Sequence, residues 1–335
     1  MLQSVFWAAL TIAVLVFTLP ITVLAQITPE LIEAAKKEGE VMFYGAITVS
    51  SSKAIGDVFE KKYGIKLRHW RGDATELINR SLAEARAGKP GFDVTLGNEV
   101  VMASLVEKNL FAVFEPPAAK GYPKQFLDAD KKMTPWRVLP YGINFNHQLL
   151  KASEAPKTWE ELVDPKWKGK FGMANPGIHV TTLQFVLNLD KLIGPKWLKV
   201  VEGWAKNDPR VGRSLADTIQ PLTSGEVQVA LGYIKDKYQY PGPIEYVPIN
   251  KYLSSLSFVA INGQAPHPNA ARLFTDFFVG PEAQTIFGNY GEYVFHPEAD
   301  HKFKKDVKDD QIVVMRLPSK EALENWSKKF RDMFR

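Results

Sequence analysis

Residues 41–96 alternate between short apolar runs and segments whose apolar residues recur at helical spacing. Three runs rich in β-branched and aromatic residues are predicted strands, at 41–44, 65–70 and 92–96. The two segments between them carry apolar residues three and four positions apart, which is typical of helices packed on one face. This order of strand, helix, strand, helix and strand favours a parallel sheet covered by helices.

Two extended segments divide this α/β pattern along the chain. The first lies at 136–145, and after a second α/β run the strands near 247–261 return across the gap. Two crossings predict two lobes joined by a hinge, and a cleft between hinged lobes is a common place to hold a small ligand. We expect the first lobe to comprise 26–140 and 254–335 and the second to comprise 141–253.

Residues 1–25 have the pattern of a secretory signal peptide. No charged residue occurs from Val5 to Ala25, and Val23 and Ala25 stand at positions −3 and −1 of a cleavage after Ala25. The first four residues carry no lysine or arginine, which departs from the usual signal peptide. An uncleaved membrane anchor therefore stays open as the alternative, since the apolar run is about long enough to span a bilayer.

The composition excludes several kinds of site. The sequence has no cysteine, so disulfides, thiolate metal sites and cysteine nucleophiles are absent. Its 42 basic and 37 acidic residues are interspersed and give a net charge of +5, which argues against a nucleic-acid surface and is compatible with an anionic small ligand. The six histidines lack metal-ligand spacing, and no G-x-S-x-G, P-loop or G-x-G-x-x-G motif occurs. We therefore predict neither an enzyme nor a bound cofactor.

Residues 225–240 join a short apolar strand to a polar loop. The strand at 227–231 breaks at Gly232, and Tyr233 and Lys235 follow. In an α/β sheet, ligands meet the chain where a buried strand ends and a polar loop begins. We therefore expect Tyr233 and Lys235 to reach the ligand cleft, and the alternative is a core strand followed by a solvated loop.

Further candidate residues stand at strand ends and helix starts. Arg71 has the planar fork that suits carboxylate or phosphate, and the helix start beside Thr181 offers backbone N–H groups to an anion. A structural role is the alternative in each case: Thr48 as a helix cap, Trp70 in core packing, Arg71 on the surface. The remaining candidates of this kind are Asn98, His179 and Ser214.

Four segments carry a resemblance to a known family, at 59–66 (FEKKYGIK), 159–170, 225–233 and 267–278. In their order and spacing the chain resembles the periplasmic solute-binding proteins of ABC importers, in the branch that includes the iron(III)-binding proteins. The resemblance implies the type II periplasmic-binding-protein fold, in which two α/β lobes joined by two crossing strands close on a ligand. Tyr141 is a candidate because the crossing strand forms the cleft floor in this family.

The resemblance also implies transport without catalysis. The expected location is the periplasm, and the expected state is a monomer. The expected partners are a small-molecule ligand, an inner-membrane ABC permease and its ATPase. Hinge closure would trap the ligand before delivery to the permease.

The metal ligands of the iron-binding members are replaced in this chain. Those members use a histidine after the first strand, a glutamate after the third and a tyrosine pair after the strand at 227–231. The matching positions hold Thr48, Asn98, Lys235 and Asp236. Iron(III) prefers anionic oxygen ligands, which threonine, asparagine and lysine do not supply. We therefore predict a small organic anion and no metal, and the alternative is an iron(III) carrier that uses Tyr233 or Tyr238 with a synergistic anion.

Overall fold

The computed structural model describes residues 27–303 and 305–334. The predicted signal peptide at 1–25, and its alternative as an anchor, lie outside the described residues. Within the described ranges, no helix is both long enough and apolar enough to cross a bilayer.

The strands and helices follow one another in the α/β order that the sequence predicts. The strands are β1 (Glu40–Gly45), β2 (Lys66–Arg71), β3 (Val94–Asn98), β4 (Thr134–Asn146), β5 (Phe171–Ala174), β6 (Arg210–Gly212), β7 (Val229–Tyr233), β8 (Ile244–Tyr246), β9 (Tyr252–Ile261), β10 (Tyr293–Val294) and β11 (Ile312–Val314). The helices are α1 (Pro29–Glu38), α2 (Val49–Tyr63), α3 (Ala74–Arg86), α4 (Glu99–Val106), α5 (Val180–Asn188), α6 (Asp190–Ile193), α7 (Trp197–Lys206), α8 (Ile219–Ser224), α9 (Asp236–Gln239), α10 (Pro268–Val279), α11 (Pro281–Asn289) and α12 (Lys320–Met333).

The strands form one curled sheet with the order β2-β1-β3-β9-β4-β7-β5-β6. β1 pairs in parallel with β2 and β3, and β5 pairs in parallel with β6 and β7. β8 and β10 pair with β4, and β11 pairs with β9. The structure thus confirms the predicted fold class, with two parallel α/β parts joined by antiparallel strands.

β4 connects the two parts of this sheet. It pairs with β9 as far as Pro140, and from Tyr141 onward it pairs with β7. All residues of β4 and β9 are buried, as expected for strands that run through the middle of the molecule. β4 and β9 match the crossing strands predicted at 136–145 and 247–261.

β4 also contributes to two separate aromatic cores. In one, Trp136 meets Phe278 of α10 edge to face, with ring centroids 4.9 Å apart. In the other, Tyr141 stacks on Phe185 of α5, with ring centroids 4.1 Å apart. Two cores on one strand are what a two-lobed molecule with a shared hinge requires.

The last helix, α12, packs on the second of these cores. Phe330 of α12 is fully buried there, and Asn175 Nδ2 donates to the carbonyl oxygen of Phe334 at 2.7 Å. The predicted lobe boundaries at 140/141 and 253/254 stay a prediction. The contacts of α12 favour grouping this helix with 141–253, although the sequence pattern placed it in the first lobe.

Candidate ligand-binding site

A cavity of about 640 Å³ lies where the carboxyl ends of β1, β2 and β3 face α5, α9 and the segment 213–219. Eight of the ten predicted ligand-binding residues line it. These eight are Thr48, Arg71, Asn98, His179, Thr181, Ser214, Tyr233 and Lys235. The carboxyl ends of neighbouring parallel strands meet at one edge of a sheet, which explains why residues so far apart in the sequence come together. Contact of each residue with a ligand stays a prediction.

Thr48 and Asn98 cap helices and line the cavity at the same time. Thr48 Oγ1 accepts from Ser51 N at 3.2 Å at the start of α2. Asn98 Oδ1 accepts from Val101 N at 3.1 Å at the start of α4, and Asn98 Nδ2 donates to Thr181 Oγ1 at 3.0 Å across the cavity. These bonds hold both side chains in a fixed geometry at the cavity wall.

His179, at the start of α5, is uncharged. Its Nδ1 accepts from Thr182 N at 3.3 Å and lies 2.8 Å from Thr182 Oγ1. Burial lowers the pKa of His179 to about 4, so the ring is neutral at neutral pH. His179 therefore contributes shape and polarity to the cavity but no positive charge.

Arg71 and Arg213, named the mouth arginines here, line the cavity from different parts of the sheet and are exposed. Arg71 Nε donates to the carbonyl oxygen of Ile47 at 3.2 Å. In the described part of the chain, no carboxylate oxygen lies within 4.0 Å of either guanidinium group. The mouth arginines therefore offer donors that no acid occupies.

The acids beside the mouth arginines are bound to backbone N–H groups. Asp73 and Glu76 form a reciprocal capping box at the start of α3. Asp217 Oδ2 accepts from the backbone N of Arg213 and of Ser214, each at 2.9 Å. These hydrogen bonds hold the three carboxylates within their own loops, and none of them makes an ion pair with the mouth arginines.

Lys235 belongs to a buried cluster, named the base network, that also contains Arg137, Gln239 and Glu292. Lys235 Nζ donates to Glu292 Oε1 at 2.9 Å and to Gln239 Oε1 at 3.1 Å, and Arg137 pairs with the same Glu292 carboxylate. The Glu292 side chain is 1% exposed. Lys235 thus lies at the cavity, as predicted, but its charge is matched inside the protein.

The pKa values of the base network follow from its burial and its charges. Burial lowers the pKa of Lys235, against the pull of Glu292. Burial alone would raise the pKa of Glu292, but Arg137 and Lys235 hold it below its usual value. Glu292 is therefore ionised at neutral pH.

Several polar residues of the cavity were not among the predicted ligand-binding residues, and they include Arg137, Arg213, Asp236, Gln239 and Tyr240. Arg137 lies within β4, where the surrounding pattern is apolar and gives no sign of a site. Asp236 is 5% exposed, and burial raises its pKa to about 7. The sequence offers one general signal, since a lysine at the end of a buried strand requires an acid nearby, but this signal does not identify the acid.

Trp70 and Tyr141 do not line the cavity, so the prediction that they contact the ligand finds no support in the geometry. Trp70 packs on Tyr44, with ring centroids 4.9 Å apart, and the Arg80 guanidinium covers its ring at 4.5 Å. Tyr141 is fully buried behind the cavity, where its hydroxyl lies 3.1 Å from Thr182 Oγ1. Both side chains have packing roles, and for Trp70 core packing was the structural alternative.

The tyrosines of the iron alternative are not brought together. Tyr233 lines the cavity, and burial raises its pKa above the usual value, which disfavours the phenolate that iron(III) needs. Tyr238 packs against Phe303, with ring centroids 5.1 Å apart, and is not among the lining residues. Over the described ranges, no three His, Asp or Glu side chains are grouped to hold a metal ion.

Comparisons with known proteins identify the family of the chain. The family model described as bacterial extracellular solute-binding protein matches residues 54–312. A probable ABC transporter periplasmic-binding protein, y4fP of Sinorhizobium fredii, is 24% identical over 286 residues, which cover 82% of this chain and 77% of that protein. An Fe(3+)-binding periplasmic protein of Serratia marcescens is 23% identical over 317 residues, covering 87% and 90% of the two chains.

A solved structure shows the same fold. The periplasmic binding protein AfuA of Actinobacillus pleuropneumoniae, with exogenous fructose-6-phosphate bound, aligns with a TM-score of 0.73 and 20% identity. The alignment covers 88% of this chain and 96% of AfuA.

Proposed function

Because the chain belongs to the family of bacterial extracellular solute-binding proteins, we propose that it is the periplasmic binding component of an ABC importer for a small organic anion. The family consists of binding proteins, so the cavity captures a solute and does not transform it. The importer role is supported by the similarity, over 82% of this chain, to the probable ABC transporter binding protein of Sinorhizobium fredii. The partner that accepts the ligand is then an inner-membrane permease coupled to an ATPase.

The unmatched charge of the mouth arginines is the observation that carries the anion assignment. The acids around them are bound to backbone N–H groups, and the two cations of the base network are already in ion pairs with Glu292. Arg71 and Arg213 are thus the cavity's available positive charges, and guanidinium groups bind carboxylate and phosphate in a bidentate manner. The sugar phosphate bound by AfuA shows that a protein of this fold accommodates an anion of this kind.

Contacts across the cavity support capture by closure of the two lobes. Asn98 Nδ2 donates to Thr181 Oγ1 at 3.0 Å, and Thr75 Oγ1 donates to the carbonyl oxygen of Ile178 at 3.3 Å. Each bond joins the first parallel part of the sheet to the second. Such bonds stabilise a closed arrangement and break when the lobes separate.

Iron(III) transport is the second candidate, because the Serratia marcescens relative is an Fe(3+)-binding protein. It would need Tyr233 as a phenolate and a second ligand from outside the chain. A visible charge-transfer band on addition of ferric citrate would support it. A colourless mixture would leave the anion assignment in place.

The anion assignment is tested by binding measurements on a panel of carboxylates, phosphates and phosphonates. Native mass spectrometry and thermal shift identify binders, and calorimetry measures their affinity in the wild-type protein and in the Arg71→Gln and Arg213→Gln variants. We expect each variant to bind about tenfold more weakly. Arg210→Gln is the matched control, because Arg210 already pairs with Glu226 at 2.7 Å and does not line the cavity. Failure of every anion to bind, or affinity unchanged in both variants, would refute the assignment.

A further inference from the structure

Asp236 is a buried acid at the cavity wall that makes no direct ion pair. It lines the cavity and is 5% exposed. No lysine or arginine nitrogen in the described residues lies within 4.0 Å of its carboxylate, and apart from the backbone of Tyr233 no described group offers it a hydrogen bond. A buried carboxylate without a partner is costly, so this arrangement leaves room for a donor from outside the chain.

The nearby cations do not fill this role. Lys235 Nζ donates to Glu292 and Gln239, and Arg137 pairs with the same Glu292 carboxylate. The two cations therefore share Glu292, and Asp236 stands beside them without a direct contact. Burial raises the pKa of Asp236 to about 7 even though Lys235 acts in the opposite direction, which agrees with a carboxylate that lacks a donor.

The position of Asp236 is fixed by the strand behind it. A Cβ atom placed on Gly232 would lie 3.2 Å from Asp236 Oδ2, so the carboxylate packs directly on the backbone of β7. Asp236 cannot retreat further into the protein to find another partner. Its remaining polar surface therefore faces the cavity.

Tyr240 links the Asp236 side of the cavity to the mouth arginines. It lines the same cavity, and its pKa is raised by burial and by the Asp236 carboxylate and lowered by Arg71. Asp236 and Arg71 thus both lie within electrostatic range of one phenol group. A cavity of about 640 Å³ has room for a ligand larger than a lone phosphate or carboxylate, so one molecule can reach both ends.

We propose that the ligand is two-ended, with an acidic group held by Arg71 and Arg213 and a hydrogen-bond donor, an ammonium or a hydroxyl group, held by Asp236. This inference rests on the proposed function and names the substrate class more closely. Simple alkyl acids would then bind weakly, because they leave the Asp236 carboxylate desolvated and unpaired.

Two series of matched probes test this inference by calorimetry. One series is ethylphosphonate, 2-hydroxyethylphosphonate and 2-aminoethylphosphonate, and the other is propionate, 3-hydroxypropionate and β-alanine. In at least one series we expect a donor-bearing member to bind about tenfold more tightly than its alkyl parent, and the larger gain identifies the donor as ammonium or hydroxyl. The Asp236→Ala variant should lose this preference. The Arg213→Gln variant should bind all members of a series more weakly by a similar factor and should keep the preference for the donor-bearing members.

The outcomes separate the two proposals. Binding of alkyl parents and donor-bearing members with equal affinity would overturn the two-ended ligand and leave the anion-binding function standing. Failure of every member of both series, together with every anion of the broader panel, would overturn both. If thermal melting shows that Asp236→Ala does not fold, Asp236→Asn takes its place. A preference for the ammonium probe that survives in Asp236→Asn would overturn the role given to Asp236.

Discussion

The mouth arginines and the base network contain the same kinds of cation in opposite surroundings. Arg71 and Arg213 are exposed and have no carboxylate within 4.0 Å among the described residues. Arg137 and Lys235 have side chains only 6% and 9% exposed, and both contact Glu292. A charge that leaves water must be matched within the protein, whereas an exposed one need not be.

This difference shows how the charges of a cavity should be interpreted. The number of basic side chains around a cavity does not reveal what it binds, because some of them serve the fold. Lys235 illustrates the point, since it lies at the cavity but forms an ion pair with Glu292. The side chains that select an anion are those that the protein leaves unmatched.

The largest effect is expected from Glu292→Gln, which leaves Arg137 and Lys235 buried without a carboxylate. We expect the free energy of unfolding to fall by about 3–5 kcal/mol, measured by urea denaturation. Glu226→Gln is the control, because Glu226 and Arg210 form an ion pair in which both side chains are about half exposed. That variant should lose less than about 1 kcal/mol. Equal losses in the two variants would remove the distinction between matched buried charge and exposed charge.

Glu99 offers a second test, because it is an acid with a buried carboxylate that has no cation partner. Its Oε1 accepts from Leu256 N at 2.5 Å, while its Oε2 is buried without a partner. Burial raises the pKa of Glu99 from 4.5 to about 7, the opposite direction from Glu292. A raised pKa means that the folded state holds the proton more tightly than the unfolded state, so stability falls as pH rises from about 4.5 to about 7 and then levels off.

The variant Glu99→Gln removes this pH dependence. Between about pH 5 and pH 8, the wild-type protein should lose about 2–3 kcal/mol more of its unfolding free energy than the variant does. Asp236, whose pKa is also raised to about 7, contributes in the same direction in both proteins and cancels in the difference. Parallel stability profiles for the two proteins would contradict the assignment.

A third test concerns Lys235 itself. In Lys235→Met, Glu292 keeps Arg137 as its partner, so we expect a loss of about 1–2 kcal/mol of unfolding free energy. The affinity for an anionic probe should change by less than about threefold, because the lysine charge is already matched. Arg213→Gln provides the contrast, with a loss of about tenfold in affinity and little change in stability. A larger affinity loss in Lys235→Met than in Arg213→Gln would show that the lysine holds the ligand.

The sequence predicted the edge of the sheet at which the cavity lies. Thr48 follows β1, Arg71 and Asn98 end β2 and β3, and the carboxyl ends of such parallel strands meet at one edge. Alternation along a strand also explains the failure at Trp70. Neighbouring strand residues point to opposite faces, so Arg71 at the cavity places Trp70 on the other face, against Tyr44.

The base network could not be predicted from the sequence in the same way. Its members come from β4, from α9 and the residue before it, and from the residue before β10, and no periodic pattern connects Arg137 with Glu292. Pairing of distant side chains depends on how the two parts of the sheet fold together, which local patterns do not encode. The same reason hides Asp236, because its lack of a direct ion pair is visible only once Lys235 is seen to bind Glu292.

The smallest effect is expected at the hydrogen bond between Asn98 and Thr181, which joins the two sides of the cavity near the mouth arginines. Thr181→Val removes the acceptor for Asn98 Nδ2. Thr182→Val is the matched control, because the Thr182 hydroxyl bonds to Tyr141 and His179, which lie on one side of the cavity only. Each variant should lose about 1 kcal/mol of unfolding free energy, since each loses one buried hydroxyl. Only Thr181→Val should weaken closure, so small-angle scattering of the ligand-free protein should give a larger radius of gyration for Thr181→Val than for Thr182→Val. Identical scattering curves would mean that the bond stabilises the local fold, and the closed arrangement would then depend on the ligand and the mouth arginines instead.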